Sequence, residues 1–151
     1  MPAAASAGPR PDAPSDDVLR DLLIRYRHIA VVGLSPNPAR PSHRVAAYMR
    51  AHGYDITPVN PVAPEVLGIP SASSLADAAT RGRLEIVNIF RRPSEIPGIV
   101  EAAIALGAKV IWMQLGLADA DAAARARAAG VEVVMDRCIQ VEHARLIGGR
   151  P

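Results

Sequence analysis

Aromatic side chains are scarce here: one Phe, one Trp and three Tyr in 151 residues. Half of the chain is apolar all the same, so the core has to be built from Val, Ile, Leu and Ala, and the length suffices for one of full size. Cysteine is scarcer still. Cys138 stands alone, which excludes an internal disulfide and predicts a reducing, cytoplasmic setting. No apolar run approaches the length of a membrane span, and the first residues lack the charged and apolar regions of a secretion signal. The net charge is only +2, with Arg residues scattered along the chain, so neither a nucleic-acid footprint nor a membrane partner is expected. His28, His43, His52 and His143 are dispersed, with no i, i+4 pair and no C-x-x-C, and no metal site is expected from them.

What the chain does have is alternation. Residues 1–14 are rich in Ala, Pro and Gly and read as a flexible extension; one domain is expected over 15–151. Acid at the start, base at the end and apolar residues at helical spacing predict a helix over 16–27, capped by Ser15. Short runs rich in Val and Ile predict strands over 29–32, 55–59, 85–90, 109–113 and 132–135. Between them lie helical patterns over 42–52, 74–79, 94–106 and 119–129, with a last one over 139–146. Ser42 and Ser74 are the expected N-caps of two of these. Residues 62–73 read as a loop with a brief extended piece at 67–69, and Pro58 argues for slack pairing or a strand end. Strand and helix in turn mean βαβ units around a parallel sheet covered on both faces. The expectation is therefore an α/β, Rossmann-like, doubly wound three-layer sandwich with five parallel strands in the order 3-2-1-4-5. Its crevice would open between strands 1 and 4.

The loop after the first strand is the natural ligand site. Gly33 ends the strand, three prolines and Arg40 follow, and a helix opens near Ser42; strand, glycine turn and helix N-terminus together attract anions. A dinucleotide is the default occupant of such a fold. Two absences count against it: the loop has one glycine where the pyrophosphate fingerprint wants three, and the second strand ends in Asn60-Pro61 where an NAD site places an acid. Arg40, His43, Arg44, Arg91 and Arg92 all fall near strand ends, where guanidinium groups pair with phosphates; a solvent-facing role stays open for Arg44 and Arg92. Ser35 and Ser42 can donate hydroxyls to the same anion. Trp112, on a buried strand, reads as core rather than as a stacking platform. No catalytic residue is expected. His143, five residues beyond Cys138, stands about 140° around the helix from it, which is poor geometry for a thiol–imidazole pair.

Five separated pieces carry a resemblance. They are Gly33-x-Ser35-x-Asn37-Pro38-x-Arg40-x-Ser42; Gly53-Tyr54 with Pro58-Val59-Asn60-Pro61; Phe90-Arg91; Trp112-Met113-Gln114-x-Gly116; and Asp136-Arg137-Cys138. Together, over about residues 28–146, the chain resembles the stand-alone CoA-binding domain family. That family is similar to the N-terminal CoA-binding domain of the succinyl-CoA synthetase α subunit, without the second domain that carries the phosphorylated histidine. The resemblance implies coenzyme A, free or acylated, lying across the strand tips with no chemistry of the chain's own. It puts the phosphates near Gly33, Ser35, Pro36, Asn37, Arg40 and Ser42, the ribose and adenine towards Val59, Asn60, Pro61, Phe90, Arg91 and Arg92, and the pantetheine beside Trp112, Gln114 and Gly116. Cys138, the only thiol, is a candidate for a mixed disulfide with the CoA thiol under oxidation. A homo-oligomer or a regulatory protein is the candidate macromolecular partner. The alternatives are an NAD(P)-dependent oxidoreductase or an acyl-CoA ligase subunit.

Overall fold

The alternation of side chains along the first strand, β1 (His28–Val32), decides the layers of the molecule. Ile29 and Val31 point into one apolar cluster, Ala30 and Val32 into another, as a strand buried on both faces requires. In the computed structural model, which describes residues 13–148, the first cluster is covered by α1 (Asp16–Arg25), α2 (Pro41–Ala51) and α6 (Ile139–His143). The second is covered by α3 (Leu75–Ala79), α4 (Ile96–Ala105) and α5 (Ala120–Ala128). Between them lies an all-parallel sheet of β1, β2 (Asp55–Val59), β5 (Ile86–Ile89), β6 (Val110–Met113) and β7 (Glu132–Val134). This is the doubly wound α/β sandwich that the sequence implies. The proposed N-terminal extension over 1–14 falls almost wholly outside the described residues.

The strand order differs from the expected 3-2-1-4-5. The sheet runs β2-β1-β5-β6-β7, so the third long strand lies against β1 instead of beyond β2. Pro58 fits the edge position that this gives β2. Its carbonyl accepts from the Ala72 amide on the outer side of β2 at 2.8 Å. The missing N–H therefore falls on the same side, where a further strand would need it. β2 is thus an edge, and α3 carries the chain back across β1 to start β5. The reversal of direction then falls between β1 and β5, the switch point of the 2-1-3-4-5 order.

Three local expectations also change. The helix after β1 starts a residue early: Pro41 takes its first position and Arg40, in extended conformation, its N-cap. Proline fits there because its fixed φ suits a helix and its absent N–H is not needed. Ser42 is consequently not the cap. Within the expected loop 62–73 a small hairpin forms, β3 (Glu65–Val66) against β4 (Ile69–Pro70). Its turn holds Leu67 at φ 57 and Gly68 at φ 73, the two left-handed residues of a tight hairpin. The last helix keeps α geometry only to His143 and continues as a π turn, Ala144–Gly148. Ser15 and Ser74 cap α1 and α3 as expected, each accepting from the amide three residues on. Among the described residues no helix is long and apolar enough to cross a membrane.

Candidate functional site

The switch between β1 and β5 sends one chain to each face of the sheet, so the loops part above the strand tips. A cavity of about 740 Å³ opens there. Its floor is the Gly33 turn. Gly33 has φ +91, and a Cβ built on it would sit 2.4 Å from the Phe90 carbonyl oxygen and 2.7 Å from Arg91 Cδ. The turn is wedged between its neighbours, since the Gly33 amide donates to the Val59 carbonyl at 3.1 Å.

The 35–42 loop above it braces itself. The Ser35 amide donates to Ser42 Oγ at 3.0 Å, the Asn37 amide to Ser35 Oγ at 3.1 Å and the Ala39 amide to Asn37 Oδ1 at 2.9 Å. Arg44 completes the brace through its guanidinium to the Ala39 carbonyl at 2.9 Å. This stiffening is local turn chemistry of Ser and Asn. The loop delivers the N-terminus of α2 to the cavity with no side chain capping it, so the positive end of the helix dipole is left for whatever occupies the cleft. Arg40 and Pro41 line the mouth, and buried Ser42 lies behind them.

On the β5 side stands Arg91. Its Nε and Nη2 donate to the two carboxylate oxygens of Glu95, each at 3.0 Å. Arg92 Nε reaches the same carboxylate at 3.1 Å. These partners, Arg91 first, hold the Glu95 carboxyl below its usual range. Arg91 and Glu95 both line the cavity, whereas Arg92 points along the surface and does not.

Of the residues singled out in the sequence, Gly33, Ser35, Pro36, Arg40, Ser42, Val59, Asn60, Pro61, Phe90 and Arg91 are brought together around this one cavity. Asn60 is held there as a strut. Its Nδ2 donates to the Leu34 carbonyl at 3.0 Å, and its Oδ1 accepts from the Val62 and Ala63 amides at 2.8 and 3.0 Å. The sequence reading misses the far wall: Ser73, Ser74 and Leu75 at the start of α3, and Gly98, Ile99 and Ala102 along α4. Those helices reach the cleft only because β5 lies beside β1. Pro58 was the available signal.

Trp112, Gln114, Gly116 and Cys138 do not line the cavity, and neither does Asn37. With β5 between them and β1, the β6 and β7 tips stand apart from the cavity and bond among themselves. Trp112 is completely buried and its Nε1 donates to the Arg137 carbonyl at 2.8 Å. Gln114 Oε1 accepts from Asn88 Nδ2 and from the Ile139 amide, both at 3.1 Å, which supplies a cap to α6. The Gly116 amide donates to Asp136 Oδ1 at 2.7 Å, with Asp136 at φ 59. Cys138, half-buried, is the N-cap residue of α6.

Two of the four histidines gather elsewhere. His52 and His143 pack with Tyr48 and Tyr54, with Tyr48 hydroxyl and His143 Nδ1 3.0 Å apart. Burial pushes the His143 imidazole pKa down. Among the described residues that line the cavity there is no histidine, cysteine or lysine, and no group of metal-ligating side chains is placed to hold an ion. The wall pairs cationic and hydroxyl donors near one helix N-terminus with apolar surface from Val59, Leu75, Ile99 and Ala102. That set suits a phosphate-bearing ligand with a long uncharged portion.

Comparison with known proteins agrees. The family model described as a CoA binding domain matches residues 27–144. An uncharacterized protein, YneT, of Bacillus subtilis (strain 168) is 43% identical over 131 residues, covering 87% of this chain and 96% of its own. A hypothetical protein from Pyrococcus horikoshii OT3 superposes with a TM-score of 0.87 at 41% identity, covering 93% of this chain and 99% of its own. A larger structure, the dinucleotide-forming acetyl-coenzyme A synthetase 1 of Ca. Korarchaeum cryptofilum, shares the fold. Its TM-score is 0.62 at 20% identity, over 71% of this chain and 25% of that one.

Proposed function

The chain belongs to the CoA-binding domain family, and from that premise we propose that it binds coenzyme A or an acyl-CoA in the cleft between the β1 and β5 tips, without catalysing a reaction of its own. One observation carries the reading. The uncapped N-terminus of α2 opens into a cavity flanked by Arg40 on one side and Arg91 on the other. A pyrophosphate fits that combination of helix dipole, guanidinium and serine hydroxyls, and the additional 3′-phosphate of CoA gives a second arginine something to pair with. The apolar α3–α4 wall offers surface to the uncharged parts of the ligand. Each residue assigned to the phosphates, Gly33, Ser35, Pro36, Asn37, Arg40 and Ser42, lies on the braced loop or the turn beneath it, and all but Asn37 line the cavity.

The non-catalytic half of the reading rests on the lining. Acid–base or nucleophilic catalysis needs a positioned base beside a nucleophile. Here the carboxylate among the lining residues is bound to two arginines, and the serines face no imidazole. The lone thiol points to the cytoplasm as the compartment, and a CoA-sensing partner protein or a second copy would read the bound state. An oxidoreductase would want an acid at the β2 tip, where this chain has Asn60 engaged with Leu34.

Isothermal titration of the full chain against CoA, acetyl-CoA, NAD and NADP tests the proposal. The expected result is one-site binding of CoA or acetyl-CoA and none of NAD. Binding of NAD without CoA overturns it in favour of the oxidoreductase.

A further inference from the structure

We propose that Glu95 is a positioning residue of the cleft, pinning the Arg91 guanidinium across the Gly33 turn so that its outer N–H groups meet the phosphates of the ligand. The inference rests on the CoA reading above. An arginine has five N–H donors. Glu95 takes the Nε proton and one on Nη2, each at 3.0 Å, which leaves the remaining terminal donors for an anion. The stem of the side chain lies over the Gly33 turn, where Arg91 Cδ fills space that a Gly33 Cβ would need, 2.7 Å from it. The two bonds to one carboxylate hold the guanidinium in one plane. Without the carboxylate, a side chain 41% exposed to solvent is free to leave the cleft, and a ligand would have to order it on binding. Two other roles for Glu95 make different predictions. An acid at the start of α4 could serve only the helix dipole, which affects stability and not affinity. A carboxylate that merely competes with phosphate for Arg91 would weaken binding, so its removal would tighten it.

The test titrates CoA into the full-length protein, Glu95→Gln, Arg91→Ala and the double variant. Glu95→Gln is expected to weaken CoA about fivefold, and Arg91→Ala about tenfold. Because Glu95 acts through Arg91, adding Glu95→Gln to Arg91→Ala should change affinity less than about twofold. An equal loss in both backgrounds, or unchanged or tighter binding by Glu95→Gln alone, overturns the proposal. A second readout needs no ligand: the Arg91 Nε–H is expected to exchange with water more slowly in the unmutated protein than in Glu95→Gln, and an equal rate in the two likewise overturns the pinning. If the unmutated protein fails to bind CoA, the functional reading falls first and the phosphate role of the latch with it. If it binds and only the coupling is missing, Glu95 alone was misassigned.

Discussion

Two stretches of the same sheet edge, the β1–β5 tips and the β6–β7 tips, are equally rich in family-type motifs and do opposite things. At β1–β5 the chain reverses direction, the loops part, and arginines, serines and a helix N-terminus are left facing a cavity. At β6–β7 the chain keeps one direction, the loops stay together, and each conspicuous polar group is spent on the protein itself: Trp112 on Arg137, Gln114 on Asn88 and Ile139, Gly116 on Asp136. A motif residue at a strand tip therefore does not by itself line this cavity. Whether it faces outward depends on the strand order around it.

The strongest test of the open side is its floor. Gly33→Val places a branched side chain at φ +91 against the Phe90 carbonyl and Arg91 Cδ. The backbone strain and overpacking together should cost about 3 kcal/mol or more, measured by urea unfolding, and the folded fraction should no longer bind CoA. A variant as stable as the parent would mean that the turn is not wedged as described.

On the closed side stability should move and affinity should not. Gln114→Leu leaves Asn88 Nδ2 without its Gln114 acceptor and the Ile139 amide without a partner in a buried setting, a loss of about 2 kcal/mol. The CoA dissociation constant should stay within about twofold, since Gln114 is cut off from the cavity. A large loss of affinity in a well-folded Gln114→Leu would erase the distinction between the two tips.

That distinction also marks how far the sequence could be read. The elements were legible because periodicity and punctuation agree: Ser15 and Ser74 do cap their helices, and each long strand begins within a residue of its expected start. The loop over 35–42 was legible because glycine, proline and arginine at a strand end have local consequences. Strand order is not local. Its one local trace is Pro58 on what proves to be an edge strand, and every reading that assumed a crevice between the first and fourth strands shifted with it. Hence α3 and α4 enter the cleft unforeseen, while Trp112 and Gln114 leave it. Ser42 shows the same limit on a smaller scale. Its type suited a cap, but Pro41 took the first helical position and the hydroxyl turned to the Ser35 amide.

The smallest expected effect is the most discriminating, because it separates a ligand contact from a brace inside one loop. Arg40 and Arg44 sit a helical turn apart, both exposed, and the sequence offers both to a phosphate while leaving a solvent-facing role open for Arg44. Only Arg40 lines the cavity; Arg44 is turned to the Ala39 carbonyl. Arg40→Ala should therefore weaken CoA about fivefold, the scale of a charge-assisted contact at a partly exposed site, with stability unchanged within about 0.5 kcal/mol. Raising the salt should narrow the gap between parent and variant, since an exposed guanidinium–phosphate pair is screened. Arg44→Ala is the control in the same titration: it loosens the loop without removing a charge from the cavity wall, so its effect on affinity should be the smaller of the two. The reverse ranking would move the anion site off the lip and onto the first turn of α2.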